Sequence, residues 1–277
     1  RLTRTARSVG LKFNEHAVTI AGNGFDWIFR RQRLVKSGRT WFELVYDSDL
    51  MSVRYYGLPD EDYIELADGT RLPVSRNRYA VPLVIVPPLG VTADVFDLLP
   101  QRSLVRYMAA RGFDVYLIDW GRPRPEHAQL NFADYADRLF GTALEKIRRH
   151  SGRQDVSLMG WCMGGLLCLM HQGLERDTHI RNIVTVASPI DMRGAGLMGD
   201  LGKAINAPAQ MLRRYTSLRL DTLLPENLYS PPFLTTLGFK LTNPVGSVTT
   251  YWDLVTNLWD REFVETYSTT SDYLNNM

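Results

Sequence analysis

Residues 156–165 read Val156-Ser157-Leu158-Met159-Gly160-Trp161-Cys162-Met163-Gly164-Gly165, the most informative segment of this 277-residue chain. The first four have the apolar character of a short strand buried on both faces, and an apolar, helix-like stretch runs from Leu166 to Met170. A nucleophile on the tight turn between a strand and a helix needs small residues two positions to either side, because the two elements pack closely there. Gly160 and Gly164 flank Cys162 at that spacing. The segment therefore predicts a nucleophile elbow, with Cys162 as the nucleophile.

Backbone amides near this turn are predicted to form an oxyanion hole. One donor would be the N–H of Met163, and the other an N–H in the loop after an earlier strand, at Leu89 or Gly90. The Cys162 sulfur would also lie at a helix N-terminus, where the helix dipole favours negative charge. The alternative is that Cys162 is an inert buried thiol. Cys168 lies further along the apolar helix and is predicted to pack in the core.

Short apolar runs alternate with helix-like stretches along the first two thirds of the chain. Four runs are dense enough for strands buried on both faces, at residues 82–86, 114–118, 156–159 and 183–187. Helix-like stretches occur between them, at residues 104–110 and 132–150. Two alternating segments precede them, at residues 42–46 and 51–56. This order predicts an α/β fold with a doubly wound, mostly parallel sheet and an antiparallel hairpin at its edge.

The chain is predicted to divide into an N-terminal helical segment at residues 1–40, an α/β core at residues 41–192 and a helical cap at residues 193–277. The alternation stops after Asp191, where Gly and Pro breaks and many aromatic residues begin. In open α/β folds, catalytic groups gather at the carboxyl ends of the strands. Asp191 follows a predicted strand there and is a candidate catalytic acid, or it caps the next helix instead. Asp119, after another strand, is a further candidate.

The composition excludes several classes of function. The net charge is only +2, and basic and acidic residues are interspersed, so no nucleic-acid surface is predicted. The two cysteines are six residues apart, which supports neither a disulfide nor a multi-cysteine zinc site. No metal is therefore predicted, and a reducing, cytoplasmic location is favoured. No apolar run reaches the roughly 18 residues of a membrane-spanning helix.

Several further motifs resemble one family, the polyhydroxyalkanoate synthases. The motifs occur in the order and at the approximate spacing of that family, and they are Val86-Pro87-Pro88, Asp97-Leu98-Leu99-Pro100, Gly112 to Gly121 and Asn257 to Val264. The chain is most similar to the short-chain class, which works with a second subunit. In that family a Cys replaces the Ser of a lipase-like box, which matches Cys162.

The resemblance implies an α/β-hydrolase fold and an acyltransferase. Cys162 would take a 3-hydroxyacyl group from a coenzyme A thioester and pass it to a growing polyester, with no further cofactor. Exchange between two sulfurs is close to energetically neutral, which suits a thiol nucleophile. The implied partners are the polyester chain, the granule surface, and a second copy or a second synthase subunit that binds through the cap. The implied location is cytoplasmic or granule-associated.

A thiol nucleophile in this fold requires a His base and an orienting acid. Only His171 and His179 follow Cys162. His171 is nine residues along the elbow helix, roughly 13 Å away by the helical rise alone, so it is not expected to serve as the base. In the family, base and acid both follow the cap. We therefore expect them, and the last strands of the sheet, beyond Met277, and we expect this chain alone to be inactive.

Two other functions fit the same sequence. One is a Cys-dependent hydrolase of a small ester or lactone, and the other is a non-catalytic module of this fold that binds a partner. Trp252 and Trp259 in the cap would line a channel or a partner surface, or they would pack within the cap. Basic residues near the site would bind CoA phosphates or would simply be solvated, namely Arg102, Arg106, Arg122 and Arg124.

Overall fold

The computed structural model describes residues 2–127, 129–191 and 244–275. The strands, in chain order, are β1 (Glu43–Asp47), β2 (Ser52–Tyr56), β3 (Tyr63–Glu65), β4 (Arg71–Pro73), β5 (Leu83–Val86), β6 (Asp97–Leu99), β7 (Arg102–Ser103), β8 (Val115–Asp119), β9 (Val156–Trp161) and β10 (Ile180–Val186). The helices are α1 (Leu2–Phe29), α2 (Leu104–Ala110), α3 (Phe132–Asp134), α4 (Phe140–Ser151), α5 (Met163–Glu175), α6 (Pro244–Thr256) and α7 (Arg261–Asn275). A π-helical turn at Tyr135–Leu139 joins α3 to α4.

The central sheet has six strands in the order β1-β2-β8-β5-β9-β10. β1 and β2 pair antiparallel, and so do β2 and β8, whereas β8, β5, β9 and β10 run parallel. The predicted α/β fold, with its mostly parallel sheet and antiparallel edge hairpin, is confirmed. Because the carboxyl ends of the parallel strands meet at one edge, the residues that follow β5, β8, β9 and β10 lie there together.

Helices cover both faces of the sheet and enclose two hydrophobic cores. The larger core packs α4 and α5 against one face, with Phe140, Leu144 and Leu167 fully buried. The smaller core packs α2 against the other face, around Ile85 and Leu117. The central strands are apolar along their whole length because they are covered on both faces, which explains why they could be recognised from the sequence.

Local signals set several helix ends. The Ser103 side chain accepts a hydrogen bond from the Arg106 amide at the start of α2, and Gly152 ends α4 with a φ of 65°. The predicted helix at 132–150 exists, but the π-helical turn interrupts it. The last strand is displaced from its predicted position, since β10 covers 180–186 rather than 183–187. Its second and third residues, Arg181 and Asn182, are polar and exposed, because among the described strands β10 has a neighbour on one side only.

The two ends of the chain pack against each other, which the sequence did not reveal. Leu34, Leu254 and Val264 form a buried cluster that joins the end of the N-terminal segment to α6 and α7. The Asn23 side chain donates to the Leu258 carbonyl at 2.8 Å, and Arg261 pairs with an aspartate of α1, also at 2.8 Å. The domain boundaries remain a prediction, and residues 193–243 of the predicted cap lie outside the described residues. Within the described part, no helix is long and apolar enough to cross a membrane.

Candidate active site

Cys162 occupies the turn between β9 and α5 in an uncommon backbone conformation. Its φ is 51° and its ψ is −120°, a region that non-glycine residues enter at a cost of about 1–3 kcal/mol. The Cys162 amide donates to the Val186 carbonyl at 2.7 Å, and the Cys162 carbonyl accepts from the Gly165 amide at 3.1 Å. The turn is therefore held by the neighbouring strand on one side and by the first turn of α5 on the other.

Glycines make this turn sterically possible. A Cβ on Gly160 would lie 2.4 Å from the Gly165 Cα, and a Cβ on Gly164 would lie 2.0 Å from the Val86 oxygen. Gly165 is less constrained, because the atom 2.0 Å from its added Cβ is the Ser188 Oγ, which can move with its side chain, and the Gly160 backbone oxygen lies 3.2 Å away. These contacts bring the start of α5 against both flanking strands. The Cys-flanking glycines noted in the sequence thus have a steric reason, which extends to Gly165.

The loop after β5 lies beside the first turn of α5. Its start is tied down, because the buried Trp120 indole donates from Nε1 to the Pro87 carbonyl at 2.9 Å. Leu89 and Gly90 belong to this loop, which follows β5 at the same edge of the sheet as Cys162. Leu89 is half-buried and Gly90 is exposed. The assignment of Met163 and of Leu89 or Gly90 as oxyanion donors stays a prediction. The Met163 amide lies in α5, and the other two amides lie in the adjacent loop after β5.

An ion-pair network lies at the same edge, and sequence reasoning missed it. Arg54 in β2 donates to Asp94 at 2.7 Å and to Asp119 at 2.5 Å, and its guanidinium lies 4.9 Å from the Phe42 ring centroid. Burial alone would lower the pKa of Arg54, but the hydrogen bond to Asp94 and the charge of Asp119 outweigh burial and raise it. Asp119 also accepts a hydrogen bond from the Gly121 amide at 3.0 Å, and its role as an acid stays a prediction.

The five histidines have structural partners, and none of them, all within the described residues, is hydrogen-bonded to Cys162. The buried His171 Nδ1 lies 2.8 Å from the Ala136 carbonyl of the π-helical turn, so that nitrogen donates there. Of the other four, His16 contacts Trp259 and His127 contacts Asp49. His150 contacts Tyr116, and His179 contacts Asp155. Asp191 is exposed and follows β10 at the same edge as Cys162. Its role as an acid stays a prediction.

Cys168 differs from Cys162 in its exposure to solvent. It is fully buried in the larger core, and burial raises the pKa of its thiol to about 12. Cys162 is half-buried and lies at the N-terminus of α5. The predicted core role of Cys168 agrees with its position, and Cys162 is the thiol that a reagent can reach.

The basic residues considered for phosphate binding are partly committed elsewhere. Arg106 pairs with Glu61 at 2.8 Å and donates to the Pro100 carbonyl. Arg124 pairs with Asp49 and with Glu126, inside a group that includes His127. Its hydrogen bond, together with one from the histidine, lowers the pKa of Asp49. These acidic and histidine groups lie close enough to ligate a metal, but the Arg124 guanidinium already pairs with both carboxylates. Arg102 and Arg122 are exposed.

Comparison with known proteins agrees with this architecture. Residues 83–271 match the model of the alpha/beta hydrolase family, so the chain belongs to that family. It is similar to the poly(3-hydroxyalkanoate) polymerase subunit PhaC of Haloferax mediterranei, 29% identical over 87% of this chain and 44% of that one. The same subunit of Haloarcula marismortui is 26% identical over 87% and 47%, and that of Allochromatium vinosum is 31% identical over 66% and 49%.

Within the alpha/beta hydrolases, the chain is a member of the polyhydroxyalkanoate synthase family, as its motifs indicated. It spans about half the length of the curated relatives it matches, 44% to 49% of the three named above. The predicted resemblance to this family is thereby confirmed.

Proposed function

We propose that this chain carries the nucleophile of a poly(3-hydroxyalkanoate) synthase, and that Cys162 accepts a 3-hydroxyacyl group from a coenzyme A thioester. The observation that carries the proposal is the strained Cys162 turn between β9 and α5, in a chain of this family. A backbone angle that costs about 1–3 kcal/mol is maintained by its surroundings, and such strain concentrates at functional sites.

The proposed chemistry begins with attack of the Cys162 sulfur on the thioester carbonyl. The carbonyl oxygen takes up the negative charge, and the Met163 amide together with that of Leu89 or Gly90 would stabilise it. The carbon–sulfur bond to coenzyme A then breaks, which releases the coenzyme A thiolate and leaves the acyl group on Cys162. Polymer growth follows when a hydroxyl oxygen attacks this acyl thioester, so that an ester forms and the Cys162 sulfur is released.

Attack by a hydroxyl needs a base that takes its proton. No histidine of the described residues is hydrogen-bonded to Cys162, so we propose that the His base and its orienting Asp come from another part of the protein. The alternative candidate for the acid, within the described residues, is Asp191. It lies at the correct edge of the sheet, after β10.

A partner surface on the cap is part of the same proposal. Trp252 is 68% exposed and Trp259 is 49% exposed, so the described cap helices do not bury them in a core of their own. Exposed tryptophans are enriched where proteins bind one another. We propose that these side chains serve a second copy, a second synthase subunit or the granule surface, and that the protein works in the cytoplasm or on granules.

The test uses the whole protein, including the part that supplies the proposed His base, and measures coenzyme A release and the intact mass of the protein after mixing with a 3-hydroxyacyl-CoA. The expected result is an acyl adduct that disappears in Cys162→Ala and persists in Cys168→Ala, the matched control. Polymer formed by the longer protein would support the synthase. Coenzyme A release with free hydroxy acid and no polymer would show a hydrolase instead. No adduct, together with a thiol that resists alkylation, would show a non-catalytic binding module.

A further inference from the structure

The loop at residues 87–92 is fixed at both of its ends by side chains from neighbouring strands. At its start, the Trp120 Nε1 donates to the Pro87 carbonyl at 2.9 Å. Trp120 is 3% exposed, and its ring contacts Tyr135 and Phe140 edge-on, so this anchor is part of the larger core. The start of the loop therefore has little freedom to move.

The end of the loop is held by charge. Asp94 lies two residues after the loop and accepts from Arg54 at 2.7 Å, while the same guanidinium binds Asp119 at 2.5 Å. The Arg54 side chain is 16% exposed, and it projects from β2, where Arg54 pairs with Leu117 of β8. Asp119 immediately precedes the tryptophan that anchors the start of the loop. Two consecutive residues at the end of β8 thus fix both ends of this loop, since Trp120, just after the strand, holds the start directly and Asp119, its last residue, holds the end through Arg54.

The position of this loop matters because the predicted oxyanion donors come from two different elements. The Met163 amide is fixed by α5, whereas the amides of Leu89 and Gly90 move with the loop. An oxyanion hole works only when both donors lie about 2.7–3.1 Å from the developing charge. A misplacement of about 1 Å can cost on the order of 100-fold in rate.

We propose that Arg54 is a positioning residue that bridges Asp94 to Asp119 and thereby sets the loop amides of Leu89 and Gly90 relative to the Met163 amide. The inference rests on the proposed acyl transfer to Cys162. Without the guanidinium, two carboxylates would face each other with no cation between them, and the end of the loop would move away. Lysine keeps the charge, but it presents one compact ammonium where arginine presents a planar fork.

Two reactions of the same thiol separate this role from a general effect on the fold. Alkylation of Cys162 by iodoacetamide displaces iodide at a saturated carbon and forms no oxyanion. Acylation of Cys162 by a 3-hydroxyacyl-CoA passes through an oxyanion. Arg54→Met is expected to slow acylation by about 10- to 100-fold and to leave alkylation within about 2-fold of the parent rate. Arg54→Lys is expected to recover part of the loss.

Arg148→Met is the matched control. Arg148 and Asp177 form a similarly buried ion pair, with 2.6 Å between the two groups, and this pair lies in another part of the structure than the loop. It is expected to change neither rate. Asp94→Asn is the second loop variant, chosen because Asp94 is 41% exposed on its side chain and its replacement is mild. It is expected to slow acylation selectively, as Arg54→Met does.

The outcomes distinguish the two proposals. Acylation at the parent rate in Arg54→Met and Asp94→Asn would overturn the positioning role while leaving the proposed function intact. Equal losses in acylation and alkylation would also overturn it, since they would show an effect on the thiol or on folding. A parent protein that includes the proposed His base and is alkylated at Cys162, but takes up no acyl group, would refute the proposed function, and the positioning role with it.

Discussion

Replacement of Gly164 by alanine tests the packing that creates the Cys162 turn. The added Cβ would lie 2.0 Å from the Val86 oxygen and 2.8 Å from the Pro87 oxygen, where ordinary contacts begin at 3.4 Å. The first turn of α5 would have to retreat from β5 by more than about 1 Å. Overpacking costs typically 1–3 kcal/mol, and we expect the upper end because both obstructing atoms belong to the backbone. Alanine has a higher helix propensity than glycine, which offsets up to about 1 kcal/mol of this cost. The free energy of unfolding should therefore fall by about 2 kcal/mol.

Urea unfolding measures this loss directly. With a slope near 2 kcal/mol per molar urea, the midpoint of Gly164→Ala should fall by about 1 M at an unchanged slope. Gly173→Ala in the same helix is the control, because no atom lies within 4 Å of its added Cβ. It should be neutral or stabilising by up to about 1 kcal/mol. If both variants unfold at the urea concentration of the parent protein, the close approach of α5 to β5 is wrong.

Two further predictions concern buried groups. Cys168→Ser should cost about 1–3 kcal/mol in unfolding free energy, because a hydroxyl replaces a thiol in the core, yet intact mass should still show one iodoacetamide adduct, at Cys162. Burial alone would raise the pKa of Asp177, but the hydrogen bonds from Arg148 and from the His179 amide, together with the charge of Arg148, outweigh burial and lower that pKa. A pKa that is lower in the folded than in the unfolded protein stabilises the fold above the unfolded pKa, and this stabilisation is lost as the pH falls through the folded pKa. Arg148→Met should therefore be clearly less stable than the parent near about pH 6, and the difference in stability should shrink towards about pH 3. A pH-independent difference between the two urea midpoints would contradict the pairing.

Much of the sheet could be predicted because its signals are local. The central strands are apolar on both faces, and the glycines around Cys162 record a turn that only small neighbours allow. Prediction was weakest where a strand lies at an edge, as with the polar second and third residues of β10. It also failed where contacts join distant residues, as in the packing of α1 against α7, because the two segments lie more than 230 residues apart.

The amino-acid sequence by itself determined the α/β class, the Cys162 turn and the family, since each depends on residue types at fixed short spacings. Only the tertiary structure decided which side chains surround that turn. Asp94 and Asp119 lie 40 and 65 residues after Arg54 along the chain, and they meet Arg54 because β8 lies between β2 and β5. An ion pair of this kind leaves no periodic trace in a sequence, because its geometry comes from strand order and not from local conformation.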